Sequence, residues 1–576
     1  MKRPKLFALI LALTMLAAAL VISSCSSGGN DKQTTGTEAA PDKPATVTGW
    51  FDYGTALYLR DKFTPGTKQS ISFQMAKNEK EGFEYVMVSD GDIDGLRCEV
   101  TPLGDGSGHV LDGEVFIAWQ IYVRTADLSH KRGYTPEPLL EQDNPYQGGS
   151  FDLISGRAKT IYVQYSTDAD TVPGTYTGQL EIRRGGETLL SGEVSVTVRD
   201  VYYEEKTYCS SMFGYTYCKY DDGFGGPGPD SAPDMDDGHY SKFHGVENDP
   251  DKAYEIRRKY VDFMLENRLG PAALPLKDGL LDDIELVRKY MDNPRLTLVN
   301  LTNESTLEEQ SRVAEENGWL DKISVSYGDE PTDDETFRAI KAWALELSKK
   351  ARTTKLTCAF GLMFVRDILE MQPMLVERMS EFSTFYCPDV YTAFGHQPTL
   401  DFMHKMREER GDTLFWYDAG PAYGDYVNKP HILTCVPGLE KRIIFWQQYM
   451  LDIDGFLYYH SAKWNRYLDF WAEGYEDAEH PMAVPGGIDT YEGLGVLMYW
   501  DPVTEDPKGS LSLEAVRDGI EDFQLMKMAE AAAGRDAVME LVNRVTTGHS
   551  EFTSDPEVLE QAKNALFDIV ESGGGK

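Results

Sequence analysis

From Thr207 onward, short apolar runs alternate with longer amphipathic ones, and this alternation restricts the fold more than any other feature of the chain. The short runs are TYCSSMFG (Thr207 to Gly214), PAALP (from Pro271), LTLVNL (from Leu296), ISVSY (from Ile323), KLTCAFG (from Lys355), STFYCPDV (from Ser383), DTLFWY (from Asp412) and DGFLYY (from Asp454). Between them lie stretches of helical periodicity such as AYEIRRKYVDFMLENR, DDIELVRKYM, DDETFRAIKAWALELSKKA and LEKRIIFWQQYML. Eight strand–helix alternations with apolar, partly β-branched strands predict a (β/α)8 TIM-type barrel over residues 204–510. Such barrels place their chemistry where strands end and the following loops begin.

Upstream, the period is two. ISFQM, GFEYVMV, EVFIAWQIYV, KTIYVQY, TYTGQLEI and GEVSVTV, with Pro173-Gly174 as a turn, predict an antiparallel β-sandwich over residues 47–203. Trp119 and Tyr122 are expected in its core. Residues 511–576 predict a helical extension, a cap or small extra domain beyond the barrel.

The amino terminus carries Lys2, Arg3 and Lys5, an apolar stretch, and Ile22-Ser23-Ser24 directly before Cys25. We expect residues 1–24 to be a lipoprotein signal peptide, Cys25 the lipidation site, and the polar residues 25–46 a flexible tether. The expected location is extracytoplasmic, lipid-anchored to the cell membrane or outer membrane. The 94 acidic against 56 basic residues, a net charge of −38, repel phosphate backbones and exclude nucleic acid as a partner. The six further cysteines (Cys98, Cys209, Cys218, Cys358, Cys387, Cys435) show no metal-binding spacing, so no structural metal is expected, and their pairing is open at this stage. The acidic loop 221–240 lacks calcium-loop spacing and is expected to be a lid or rim. No cofactor is implied.

The fourth run, ISVSYG, stops at Asp329-Glu330-Pro331, with Thr332 and Glu335 spaced as a capping box before an apolar helical stripe. The carboxylate pair therefore stands at a strand's C-terminal end. An ordinary retaining glycosidase sets two carboxyls on opposite sides of the scissile bond, about 5 to 5.5 Å apart, and adjacent residues cannot easily straddle a sugar. They can divide another labour, in which one protonates the leaving oxygen while the other holds a 2-acetamido group that attacks the anomeric carbon. Adjacency thus favours substrate-assisted hydrolysis of an N-acetylhexosaminide. Close like charges in a shielded pocket separate the two pKa values, with Glu330 expected as the protonated member.

Other strand ends supply candidates for sugar contact: Asp389 and Tyr391, then Trp416, Tyr417 and Asp418, then Tyr459, His460 and Trp464. Aromatic faces suit the C–H surface of a pyranose, and polar tips suit its hydroxyls. Asp389 is also the alternative nucleophile, with Glu330, of a conventional glycosidase on a non-acetylated sugar. A non-catalytic, glycan-binding surface lipoprotein is the reading from another class.

The Asp-Glu-Pro at 329–331, FWYDAGPAYG (Phe415 to Gly424), RIIFWQQYMLDIDGFLYYHSAKWN (Arg442 to Asn465) and SLEAVRDGIEDFQLMKM (Ser512 to Met528) resemble glycoside hydrolase family 123 and the broader DUF4091 proteins. AKNEKEGF (Ala76 to Phe83), YTPEPLL (Tyr134 to Leu140) and PGTYTGQLEI (Pro173 to Ile182) resemble the sandwich preceding that family's barrel. The run Arg517 to Asp522 is the most specific element, and we expect its charges to form a structural network. The resemblance implies exo-acting β-N-acetylgalactosaminidase activity, retention through an oxazoline-like intermediate, Asp329 orienting the acetamido group, and Glu330 as general acid and then base. The partner implied is a glycan ending in N-acetylhexosamine. Gly493-Leu494-Gly495 and Tyr499-Trp500-Asp501 depart from the glycine-aspartate-glycine and tyrosine-proline-glycine frequent in DUF4091 relatives, and that departure bears on sugar preference.

Overall fold

Two sheets face each other across the core of the amino-terminal region. One orders Val47–Asp52, Lys80–Ser89, Lys159–Ser166, Gly113–Val123 and Gly133–Glu141; the other orders Ser70–Lys77, Glu187–Tyr202, Gly174–Arg184, Ile93–Val100 and Phe151–Leu153. A short pair, Leu103–Gly104 and Val110–Leu111, joins the second sheet. This computed structural model describes residues 45–123, 133–215, 244–246, 249–301, 303–331, 333–361, 374–418, 429–462 and 495–573. Cys25, the signal and nearly all of the tether, Cys218, the loop 221–240, Thr332 and Trp464 lie outside the described residues, as does the side chain of Tyr122.

The pairing is antiparallel as expected, with one exception: Ser70–Lys77 runs parallel to Glu187–Tyr202. These strands are far apart in sequence, so no hairpin dictates their direction. Phe83, Tyr85, Ile161 and Val163 from one sheet meet Phe73, Met75, Leu180 and Val196 from the other. The residues in alternation with them, including Glu84, Thr160, Tyr162 and Gln164, are buried too. On that second face Ala118, Leu139 and Tyr162 pack with Leu511, which opens the helix Leu511–Ala533. The five-stranded sheet is therefore covered on both sides and fastens the sandwich to the rest of the chain.

Beyond it, seven parallel strands form one sheet in the order Ser210–Phe213, Gly455–Tyr458, Thr413–Asp418, Phe385–Pro388, Leu356–Phe360, Ile323–Asp329 and Val299–Asn300. The ends of this sheet approach each other around Gly270–Ala272. Phe213 N–H donates to Gly270 O (2.7 Å), Ala272 N–H to Phe213 O (2.8 Å), and Asn300 N–H to Ala272 O (2.8 Å). The result is a nearly closed parallel barrel. The strand expected from Pro271 is reduced to a single bridge with Phe213. Pro271 and Pro275 have no N–H to give to a ladder.

Met212, Ala272, Leu298, Phe385, Cys387, Phe415, Tyr417 and Leu457 fill the barrel interior. Val325, Leu414, Trp416 and Phe456 point outward, into the helical layer. The buried helix Gly438–Met450 packs there against Leu511–Ala533, followed by Arg535–Val545 and Pro556–Gly573. Where these helices meet the sandwich, Arg442 Nε holds Asp522 at 2.6 Å, Arg268 Nε holds Glu521 at 3.0 Å, and Lys563 Nζ holds Glu79 at 2.9 Å and also reaches Glu81. Arg517 pairs with Glu514 and Asp518. The charges of the 517–522 run thus tie the helices to the sandwich edge. The five described cysteines Cys98, Cys209, Cys358, Cys387 and Cys435 are buried free thiols. No helix among the described residues is long and apolar enough to cross a membrane.

Candidate active site

The strand Ile323–Asp329 reaches the barrel mouth through an irregularity. Val325 and Ser326 face Leu356 and Thr357, but the next partners of Cys358 and Ala359 are Gly328 and Asp329, leaving Tyr327 as an extra residue. Ile323, Val325 and Tyr327 all pack into the helical layer. Gly328 faces the same way, since a Cβ there would lie 2.8 Å from Ile340 of the helix Asp334–Lys350. Two successive outward residues shift the phase of the strand, as bulges do. Asp329 is thereby turned to the barrel's inner side, where its charge acts on Cys387 and Tyr417.

Glu330 follows with φ +35°, a left-handed conformation that a residue with a Cβ adopts at a cost of order 1–3 kcal/mol. Its N–H donates to Ala359 O (2.9 Å), and the Tyr417 hydroxyl donates to its Oε1. The helix downstream is capped by Asp333, whose side chain accepts from Thr336 N–H (2.7 Å).

A third carboxyl joins this pair. Asp389 ends the strand Phe385–Pro388, bridges to Tyr417 of the next strand, and accepts from Thr392 N–H through Oδ1 (2.6 Å). Its other oxygen overlies Gly361, where a Cβ would come within 2.6 Å of Asp389 Oδ2 and 3.4 Å of the Tyr417 hydroxyl.

Burial raises all three carboxyls. Asp389 is pushed to about 7, against the hydrogen bonds from Thr392 and with help from the charges of Glu330 and Asp418. Asp329 also rises to about 7, through the surrounding protein and then Glu330. As a residue Asp329 is exposed at the strand end, beside Glu330. Glu330 is raised by burial and drawn back by the Tyr417 hydrogen bond. That bond favours the ionised form of Glu330. Burial lifts Tyr417 well above its ordinary range, and it remains a neutral donor.

The structure thus gathers Asp329, Glu330, Asp389 and Tyr417. Trp416, one residue from Tyr417, is buried on the opposite face and gives its indole N–H to Gln448 (3.1 Å). Asp418 is buried as well, taking His431 Nδ1 (3.0 Å) and Ile432 N–H (2.9 Å); His431 Nε2 meets the Tyr391 hydroxyl at 2.7 Å. Trp416, Tyr391 and Asp418 therefore build the wall behind the site, and no sequence signal singled out His431 or Gly361. Tyr459 is half-buried beside Gly495, and His460 is buried with Nδ1 accepting from Ala462 N–H (2.9 Å). No group of three or more His, Cys, Asp or Glu side chains among the described residues is arranged to hold a metal ion.

Residues 301–529 match the family described as glycoside hydrolase 123, catalytic domain. Among solved structures, a family 123 glycoside hydrolase from Clostridium perfringens, analysed for glycolipid glycan hydrolysis, aligns over 92% of this chain and 98% of its own, with 11% identity and a TM-score of 0.64. At that identity the likeness is one of fold. A family 39 glycoside hydrolase from the gut symbiont Bacteroides cellulosilyticus WH2 aligns over 80% and 82% with 11% identity, but its TM-score is 0.28. No curated protein matches the chain.

Proposed function

We propose, for a chain whose residues 301–529 belong to glycoside hydrolase family 123, the retaining exo-hydrolysis of terminal β-N-acetylhexosaminides, β-GalNAc before β-GlcNAc, by substrate-assisted catalysis. The observation that carries the reading is the adjacent pair at a bulged strand end, with Asp329 turned to the barrel mouth and Glu330 held by Tyr417. In this scheme protonated Glu330 gives its proton to the glycosidic oxygen. Asp329 accepts the acetamido N–H, and the acetamido carbonyl oxygen bonds to the anomeric carbon as the aglycone leaves. Glu330 then takes a proton from the water that opens the oxazoline-like ring, so the sugar departs with its configuration retained. Carboxyls with raised pKa values suit this work, because an acid must still hold its proton near neutral pH.

The barrel fits the (β/α)8 plan if Gly270–Ala272 is counted as the second of eight staves. Tyr459 and His460, at the eighth strand's end, complete the sugar pocket in this reading. Cys25 carries the lipid anchor, and the enzyme meets its glycan outside the cytoplasm; glycolipid glycans are the first natural substrates to try.

A conventional mechanism with Asp389 as nucleophile is the second reading, favoured by its nearness to Tyr417 and Glu330. It requires an ionised Asp389, against the upward shift. A panel of aryl β-glycosides separates the two. Turnover of N-acetylhexosaminides that is inhibited by a thiazoline analogue of the intermediate supports the proposal. Turnover of plain hexosides alone sinks it.

A further inference from the structure

The ladder between Phe385–Pro388 and Thr413–Asp418 is short. Phe385 and Tyr386 face Thr413 and Leu414, and the next pairing is the bridge from Asp389 to Tyr417. Pro388 has no N–H to give there. Side chains close the gap. His431, wholly buried, gives Nδ1–H to Asp418 (3.0 Å), and its Nε2 accepts from the Tyr391 hydroxyl at 2.7 Å. The bond to the carboxylate fixes the tautomer of the neutral ring. Asp418 follows Tyr417 on its strand. Tyr391 stands two residues after Asp389, in the helix Val390–Gly395 that Asp389 caps by accepting from the N–H and the side chain of Thr392. The clamp therefore runs from the segment carrying Asp389 to the segment carrying Tyr417, the donor to Glu330. Beside it, His549 stacks on Phe394 with ring centroids 4.6 Å apart. Burial, then the charges of Lys429 and His431, pushes His549 down to about 3, so its ring packs there neutral.

We propose that His431 is a positioning residue: by tying Tyr391 to Asp418 it holds the Asp389 segment and Tyr417 in register at the barrel mouth, and so sets the Tyr417 hydrogen bond on Glu330. This rests on the glycosidase reading above and adds the group that tunes its acid. An imidazole buried between a phenol and a carboxylate has lost its water, and apolar packing would serve stability as well. What the polar chain supplies is direction, since each of its bonds constrains an angle as well as a distance. The groups whose charge or hydrogen bond acts on Glu330 are Asp329, Asp389 and Tyr417. His431 acts on it through Tyr417.

Tyr391→Phe and His431→Asn each cut the bond between Tyr391 and His431; the first keeps the aromatic ring, and the second keeps an amide for Asp418. Both are compared with wild type and Tyr417→Phe in thermal melts, in kcat/KM against pH on an alkyl β-N-acetylhexosaminide, and in the Tyr417–Glu330 separation seen in crystals. The kcat/KM should fall about 2- to 10-fold, the range for one neutral hydrogen bond. Its alkaline limb should move to higher pH, by no more than in Tyr417→Phe. Added to Tyr417→Phe, neither change should move the limb further. A role in stability alone would lower the Tm and leave the limb in place. A limb at its wild-type position in both folded variants overturns the proposal. So does a further shift in the Tyr417→Phe background, which would mean that His431 acts on Glu330 by another route. If wild type cleaves only plain hexosides, the substrate-assisted reading fails, and the same limb is read on those substrates. If it cleaves neither class, the glycosidase reading fails and the crystals decide: an unchanged Tyr417–Glu330 separation in both variants removes the clamp as well.

Discussion

Glu330 and Tyr417 make the sharpest claims at the scale of single residues. Glu330→Gln removes the acid and should lower kcat/KM about 10²- to 10⁴-fold on alkyl β-N-acetylhexosaminides. With a 2,4-dinitrophenyl leaving group, which needs little protonation, the loss should be much smaller; an equal loss on both would deny Glu330 the acid role. Tyr417→Phe deletes the donor that favours ionised Glu330. The Glu330 pKa should then rise further, and the alkaline limb of kcat/KM against pH should move to higher pH. A downward or absent shift would show that Tyr417 does not act on the acid. The carboxylate pair itself was legible in the sequence, because a strand end in a repeating strand–helix pattern marks a place for chemistry. Strand parity could also have separated Tyr417 from Trp416: Phe415 and Tyr417 share one face, Leu414 and Trp416 the other. His431 could not be found in this way. Its partner Asp418 stands 13 positions upstream, and no spacing rule connects the two.

At the scale of the element, the bulge is what the sequence concealed. ISVSYGD reads as plain alternation, in which Ile323, Val325, Tyr327 and Asp329 would all face the helices. One extra residue reverses the phase from Gly328 onward, so that Gly328 faces the helices and Asp329 the barrel. Gly328 permits the bulge, because Ile340 occupies the place of a Cβ. Gly328→Ala should therefore destabilise the protein by about 1–3 kcal/mol, the usual range for overpacking, and reduce activity by displacing the pair. Trimming the neighbour in Gly328→Ala/Ile340→Ala should restore much of the activity. Thermal melts and kcat/KM measured together decide it. A Gly328→Ala enzyme with wild-type activity would mean that the bulge does not depend on this contact. The second barrel strand was overcalled for a related reason: an apolar run between prolines resembles a buried strand in composition but lacks the donors of one.

At the scale of the whole molecule, the most specific sequence signature turns out to be architectural. Around Arg442, Arg517, Arg268 and Lys563 stand Glu79, Glu81, Glu514, Asp518, Glu521, Asp522 and Glu560, with Lys80 nearby, so buried acids outnumber the cations. Burial, and then the neighbouring acids, raises several of them: Glu79 and Glu560 to about 7, and Asp518 well above the carboxyl range. Glu81, paired with Lys563 and Arg442, goes the other way, to about 2. Removing a cation should be severe. Arg442→Met leaves Asp522 buried without its cation, with only the Trp446 indole N–H still donating to it, and should cost about 3–5 kcal/mol. The pH dependence has two signs. Glu81 contributes stability that is present above about 4.5 and lost as the pH falls toward 2. Glu79 and Glu560 act oppositely: between about 4.5 and 7 the unfolded chain has released their protons while the folded protein keeps them, so stability declines as the pH rises through that window and then levels off. Glu560→Gln removes one of the groups that resist ionisation, at a position where Arg442 retains Asp522 and Glu81. Its Tm should fall less than wild type's between pH 5 and 8, and the two should converge near pH 5. Parallel curves across that range would show that Glu560 already sits ionised in the fold, and that the joint between sandwich and barrel holds its charge without it.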